Sequence, residues 1–338
     1  MSGTGWVVAE ESLLDETVHG EVVATVLRQE LHLPATDDAP PLAVERTVTE
    51  GGAGPPVVLV HGFAQNRTTW RVSGRSMVAY LAALGHEVLN VELRGHGGSR
   101  RLGAGNASAF SEYVTDVCRV VDALDQPPVV VGHSLGGGVG VGVATERPLA
   151  GLVHLAGIYT FAEANATIRA LGRLTLELEP LLARSSVRMS TGWAGRILAR
   201  MYALTDIAGY GAPIAGWVPD SIERDLLEER LALGFDWTSI EVWLQMSRWA
   251  QGERLQYRDA FAETDVPLLV LCGDHDPLVR EVDSRACFEE SGSSDKEFEL
   301  FDAFHHRVHW GHVDLILGRH APEVVWPRIA QWLDRRSS

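Results

Sequence analysis

The chain has 338 residues, 46% of them hydrophobic and 22% charged, which is the balance of a globular protein with ample material for its own core. Acidic residues outnumber basic ones 45 to 29, for a formal charge of −16, and no Lys/Arg stripe offsets that field, so a nucleic-acid partner is not expected. Cys118, Cys272 and Cys287 have no metal-ligand spacing and fit small buried residues in a reducing cytoplasm.

Residues 1–20 carry acids rather than a basic region followed by an apolar one, so a signal peptide is not expected. No apolar stretch approaches the roughly 20 residues that span a bilayer. The first strands are predicted at about 21–33 and 42–49, rich in Val, Thr and Leu, with Pro and Asp supplying a turn between them. A short apolar strand at 57–60 ends in His61-Gly62. A helix at about 76–84, stopped by Gly85, and a strand at 87–91 follow. The rhythm continues with a helix at 113–124, a strand at 128–131, a helix from Leu135 onwards and a strand at 151–155. Two more strands are expected at 267–271 and 297–301. Strands alternating with helices predict an α/β architecture, a mainly parallel central sheet with helices on both faces.

The interval from about 158 to 261 breaks that rhythm. It holds helical patterns, at 221–233 and 238–250 among others, and Trp193, Trp217, Trp237, Trp243 and Trp249. A structureless loop of that length is implausible in a compact protein. The expected organisation is therefore a core from 1–157 and 262–338, interrupted by a helical lid or cap at 158–261.

The strongest chemical signal is Gly132-His133-Ser134-Leu135-Gly136, placed between a strand and a helix-compatible run. A nucleophile elbow needs that context. The turn is so tight that its flanking positions must be small, and the following helix aims its free N–H groups and dipole at the site. Gly-x-Ser-x-Gly alone is weak evidence in a chain with 34 glycines, and its companions carry more weight. His61-Gly62-Phe63 follows one buried strand and Arg94-Gly95-His96-Gly97-Gly98-Ser99 follows the next. Further on come Gly273-Asp274-His275-Asp276-Pro277 and Gly311-His312-Val313-Asp314.

Together these segments resemble the α/β-hydrolase superfamily, and the resemblance runs over nearly the whole chain. It implies a serine hydrolase of esterase or lipase type, with Ser134 as nucleophile and His312 as its base. His305, His306 and His309 compete locally with His312, but the Gly-His-x-Asp pattern favours the latter. Asp274 and Asp276 both follow a strand, and the family's Gly-x-x-Asp pattern favours Asp276 as the acid. The backbone N–H groups of Phe63 and Leu135 are the implied oxyanion donors. His61 reads as a brace for its loop. Arg94 and His96 read as ties for their turn, and Asp314 as a structural residue. His133 is expected to line the pocket and Trp243 to contact substrate.

In the resembling family, an insertion after the sixth strand forms a lid, and its Trp, Leu and Met residues predict a largely apolar face towards Ser134. The expected reaction is hydrolysis of a carboxylic ester with an apolar acyl part, through an acyl-enzyme. The alternatives are acyl transfer, or cleavage of a lactone, thioester or C–C bond on the same triad, and then a catalytically silent binding protein. The expected partner is a small hydrophobic ester. No cofactor or functional metal is expected, since neither a zinc motif nor a phosphate loop occurs.

Overall fold

In a computed structural model, residues 5–49, 55–163, 165–182, 189–190 and 216–336 are described. The strands are β1 (Val7–His19), β2 (Val22–Leu33), β3 (Leu42–Val48), β4 (Val57–Val60), β5 (Arg71–Val72), β6 (Arg75–Ser76), β7 (Val88–Glu92), β8 (Val129–His133), β9 (Gly151–Leu155), β10 (Met189–Ser190), β11 (Trp237–Thr238), β12 (Leu268–Gly273) and β13 (Lys296–Phe301). Eleven of them form one sheet in the order β13-β12-β9-β8-β4-β7-β3-β2-β1-β6-β5. From β7 to β13 every pairing is parallel, while β3 joins β7 antiparallel and β2 and β1 extend that side as an antiparallel ladder. The parallel half with helices on both faces is thus as the alternation predicts, but the sheet as a whole is mixed: five of its pairings are parallel and five, from β7 out to β5, are antiparallel.

Successive strand residues point to opposite faces, and here both faces are covered. Val58, Val60, Val130, Leu152, Leu268 and Val270 join one apolar cluster. Val57, Leu59, Val129, Val131, Leu269 and Leu271 join the second cluster, which also holds Trp70 and Trp326. Such strands read as unbroken hydrophobic runs rather than alternating ones. Helix α1 (Met77–Ala83), capped by the Ser76 hydroxyl, belongs to the second cluster; α2 (Gly97–Arg101) follows β7. Helices α3 (Phe110–Asp122) and α4 (Leu135–Glu146) contribute to the first.

Five strands were not expected: the two-residue β5, β6, β10 and β11, and the long β1. Residues 1–20 suggested no element, yet Val7–His19 pairs with β2 along its length. Most of it is exposed, only Glu16 and Val18 being buried, and three of its acids are matched across the ladder: Glu16 pairs with Arg28, Glu11 accepts from Gln29, and Asp15 accepts from Thr25 at 2.6 Å. A strand held by cross-strand polar pairs lacks the apolar run that marks a buried one.

Between β9 and β12 the described chain forms α5 (Ala166–Glu177) and helices at Glu179–Leu182, Arg224–Leu233, Ile240–Trp249 and Arg258–Phe261, with a small β10–β11 ladder. The expected helical patterns at 221–233 and 238–250 match two of these. Trp193 and the side chain of Trp237 lie outside the described residues. The helix Ile240–Trp249, capped by Ser239, sends Val242, Met246 and Ala250 at its end into the first cluster, and Trp249 meets Phe110 edge-on at 5.1 Å. An aromatic contact of that kind adds about 0.5–1.5 kcal/mol beyond area burial.

Candidate active site

The C-terminal ends of β4, β8 and β12, together with the loop after β13, bring the singled-out residues to one edge of the sheet. Ser134 sits between β8 and α4 with φ 58° and ψ −121°, a region L-residues rarely occupy. The surrounding backbone holds it there. Its N–H donates to the Leu155 carbonyl at 3.2 Å, and its carbonyl accepts from Gly137 at 3.0 Å and Ile158 at 2.9 Å. A Cβ at Gly132 would collide with the Gly136 backbone, and one at Gly136 would collide with the Val60 carbonyl. The elbow therefore admits only glycine at both positions.

Leu135 opens α4, so its N–H has no carbonyl one turn below to receive it. Opposite stands the loop after β4. A Cβ at Gly62 would lie 3.0 Å from the Ser134 Cβ, which measures how closely this loop approaches the serine. Ala64 supports the turn at φ 57°, and the Gln65 carboxamide accepts from the Thr69 hydroxyl at 2.8 Å. His61 is fully buried: its Nδ1 donates to the Gly62 carbonyl at 2.9 Å and its Nε2 accepts from Leu93 N–H at 3.3 Å. That pair of bonds requires a neutral ring, and burial lowers its pKa to about 4. His61 thus ties the loop to β7, as its bracing role anticipated.

Asp276 and His312 meet in a buried pair, Oδ2 to Nδ1 at 2.7 Å. The other carboxylate oxygen accepts from Leu278 N–H at 2.7 Å and Val279 N–H at 2.9 Å, which fixes the group's orientation. The opposite ring nitrogen of His312, Nε2, is buried and has no hydrogen-bond partner among the described residues. Asp274 faces elsewhere: it accepts from Trp310 N–H at 2.9 Å and from His309 Nδ1 at 2.6 Å. His305 pairs with Asp302 and His306 with Glu299, so neither reaches Asp276. Among the described residues, Asp274, His275 and His309 bring potential ligand atoms within 4.8 Å of one another.

One sequence expectation changes, and another is enlarged. His133, expected in the pocket, is 0% exposed and packs beneath the site. Its Nε2–H donates to the His312 carbonyl at 3.1 Å, its ring lies tilted 4.4 Å from that of His312, and Trp70 meets it edge-on at 6.3 Å. As the last residue of β8, it points to the face opposite Gly132 rather than outwards. Burial and its neighbours hold its pKa well below the usual histidine value, so it is a neutral strut. Asp314 does more than steady its own turn. It accepts from Val218 N–H at 3.0 Å, Gly311 N–H at 2.7 Å and the Ser221 hydroxyl at 2.7 Å, locking the chain from 216 to 221 onto the His312 loop. Burial raises its pKa to about 7.

Trp243 stands with its ring 5.7 Å from Phe63 and its Nε1 donating to Thr175 at 3.1 Å, beside the loop that approaches Ser134. Arg94 and Asp116 form a buried ion pair at 2.7 Å behind the β7 turn, and His96 there donates from Nδ1 to the Arg94 carbonyl at 2.9 Å. The sequence reading passed over Arg230, which is buried beside the same loop. Its signal was available: it lies three and four residues after Leu227 and Leu226, on the apolar face of its helix.

Comparisons with known proteins agree with this architecture. Residues 57–325 match the model of the alpha/beta hydrolase family. The (E)-2-((N-methylformamido)methylene)succinate hydrolase of Acinetobacter baylyi is 26% identical over 237 residues, covering 68% of this chain and 75% of that one. An uncharacterized protein of Mycobacterium tuberculosis is 35% identical over 123 residues, and this match spans only 34% of each chain. Among solved structures, the Paleococcus ferrophilus monoacylglycerol lipase superposes with a TM-score of 0.60 at 19% identity, over 87% of this chain and 99% of that one. A soluble variant of monoglyceride lipase from Saccharomyces cerevisiae gives 0.63 at 16% identity, over 100% and 99%. At such identities the shared property is the fold. No helix among the described residues is long and apolar enough to cross a membrane. With the family model matched over most of its length and the sheet order and elbow in place, the chain belongs to the alpha/beta hydrolase family.

Proposed function

We propose that this hydrolase cleaves a carboxylic ester through an acyl-enzyme formed on Ser134. His312 takes the serine proton as Oγ attacks the carbonyl carbon, and Asp276 holds the ring in one tautomer and stabilises its positive form. The backbone N–H groups of Phe63 and Leu135 receive the oxyanion, each such donor being worth roughly 3–4 kcal/mol in the transition state. The imidazolium then protonates the leaving alkoxide. Water, deprotonated by the same ring, attacks the acyl carbon, and the serine leaves as the acid product departs.

The observation that carries this reading is the buried 2.7 Å pair of Asp276 and His312 at the edge of the sheet where Ser134 sits on a strained elbow. Catalytic hydrogen bonds to the nucleophile commonly tighten only when substrate is bound. The segment at 158–261 serves as the lid over a core of 1–157 and 262–338, and Trp243 beside Phe63 gives it an apolar contact for substrate. The three cysteines are free and buried, which suits a reducing cytoplasm. The Acinetobacter relative is named for a substituted succinate as its substrate, a likeness that supports a ligand with a carboxylate beside its apolar part.

The test is a burst assay with p-nitrophenyl esters of increasing chain length, comparing wild type with Ser134→Ala. A burst near one equivalent per chain, lost in the variant, is the expected result. Ester turnover that survives the substitution, or no turnover with any ester, overturns the proposal.

A further inference from the structure

The helix Arg224–Leu233 sends Leu226, Leu227 and Leu231 into the apolar cluster around Trp70 and Trp217. Arg230 shares their buried face and is only 4% exposed. Its Nε and Nη1 have no hydrogen-bond partner among the described residues. Its surroundings are apolar or backbone: the Phe235 ring lies 5.7 Å from the guanidinium, and Gly234, at the helix C-terminus, packs against it. Burial lowers its pKa to about 10, which leaves it protonated at neutral pH.

The other buried arginines are treated differently by this fold. Arg94 has Asp116 at 2.7 Å, and Arg75 has the Leu317 carbonyl at 2.6 Å and Glu223 at 2.8 Å. A buried cation with no anion is among the least favourable arrangements a protein keeps, and removing its partner is strongly destabilising. Among the described residues no carboxylate supplies Arg230 with that anion.

Its place in the fold suggests what that is. The end of its helix is stitched to the loop that approaches Ser134: Asn66 donates to the Leu233 carbonyl at 2.8 Å, Phe235 bridges Gln65, and Asp236 N–H donates to the Ala64 carbonyl at 2.9 Å. Burial first, and the Arg230 charge with it, hold down the pKa values of His61, in that loop, and of His133, whose ring lies tilted 4.4 Å from that of His312. It is a buried cation on the helix whose end anchors the loop beside Ser134, in a protein whose overall charge is −16.

We infer that Arg230 recognises a carboxylate carried by the substrate, so that the ester cleaved at Ser134 is a half-ester: an acyl chain with the scissile bond at one end and a carboxylate at the other. The inference rests on the ester-hydrolase reading above. The oxyanion of the reaction is served by backbone donors, which leaves the guanidinium for a second, permanent negative charge. Its planar fork suits a carboxylate, which accepts two parallel N–H bonds. Apolar neighbours such as Phe63 and Trp243 suit the methylene spacer between the two ends.

The test compares monoethyl adipate with ethyl hexanoate, which share acyl length and differ in the terminal carboxylate, by titrating released acid. Wild type is expected to favour the half-ester in kcat/KM by roughly 10- to 100-fold, the range for hydrogen bonds to a charged group. Arg230→Met should collapse that ratio, chiefly through KM, while Arg230→Lys keeps part of it. An unchanged ratio in Arg230→Met overturns the inference. Replacing an unpaired buried charge by an unbranched apolar residue should also raise Tm, and the Lys variant covers the case in which Met fails to fold. Calorimetry with adipate on Ser134→Ala protein separates the two readings. Adipate that binds only when Arg230 is present supports the anion site even if no ester is turned over, an outcome that sinks the ester reading alone. Adipate that fails to bind, with esters still cleaved, sinks the Arg230 inference alone.

Discussion

The two halves of the sheet solve the same backbone problem in opposite ways. On the parallel side, Val57–Val60 and the body of β12 are wholly buried, covered on each face by an apolar cluster. On the antiparallel side, Val7, Val8 and Leu13 of β1 are 51%, 53% and 73% exposed, and the ladder to β2 is matched by polar pairs. The boundary falls near Glu45 of β3, a buried carboxylate that Arg71 meets at 2.5 Å, with Arg28 and Arg67 at 3.8 and 3.9 Å. Dense packing on both faces makes a stiff platform, and its strand ends hold Ser134, His133 and the acid loop. The outer ladder carries acids that discourage further strand pairing at an exposed edge. One half positions chemistry; the other finishes the sheet.

If that contrast is correct, substitutions on the platform should be costly and those on the outer ladder cheap. The largest effect belongs to Ser134→Ala, with ester turnover falling about 10⁴- to 10⁶-fold and the melting curve preserved. Turnover that survives would remove the platform's chemical role.

Next comes the pair of neighbouring carboxylates. Asp276→Asn should lower kcat about 10⁴-fold by disturbing the His312 tautomer, whereas Asp274→Asn, which loses contacts to Trp310 and His309, should stay within about ten-fold. Steady-state kinetics of the two variants decides between them, and equal losses would break the distinction.

Gly136→Ala tests the elbow itself. The added methyl meets the Val60 carbonyl, and destabilisation of about 3 kcal/mol is expected in urea melts, the upper end for overpacking. A neutral result would show that the elbow can relax.

The pH dependence sharpens the contrast further, because the buried histidines stand on or beside the platform. His61, His96 and His154 have pKa values lowered to about 4 by burial, from an ordinary value near 6.5. Between those values the unfolded chain binds the protons, so their stabilising contribution is complete above about 6.5 and is lost as pH falls towards 4. Asp314, raised to about 7, works in the opposite sense: the folded state holds its proton, and stability from it declines as pH rises from about 4 to 7. The measurement is thermal unfolding across pH 4–8 for wild type and two variants. His154→Leu should flatten the acid-side loss, and Asp314→Asn should remove the opposing slope. Leu13→Ala closes the series, with a change within about 0.5 kcal/mol by urea unfolding; a larger loss would show that the outer ladder bears weight.

Legibility followed the same boundary. The strands expected at 57–60 and 151–155 coincide with β4 and β9, because two-sided burial leaves an apolar run between turn residues. The strand Val7–His19 left no such run, since it lies largely exposed and only Glu16 and Val18 of it are buried. Local order also named the loops that carry Ser134, Asp276 and His312, for elbow and strand-end turns depend on residues adjacent in sequence. It could not choose between Asp274 and Asp276 from two similar positions in one turn. That choice depends on where the His312 loop arrives from β13, and so does the turning of His133 beneath His312. Arg230 is the sharpest case. Its spacing put it on a buried helix face, but whether a carboxylate would meet it there depended on every other element of the fold. Sequence by itself determined what each short segment must be, because hydrophobic periodicity and turn chemistry act over a few residues. Which side chains face one another, and which charge is left without a partner, only the packing of distant segments decided.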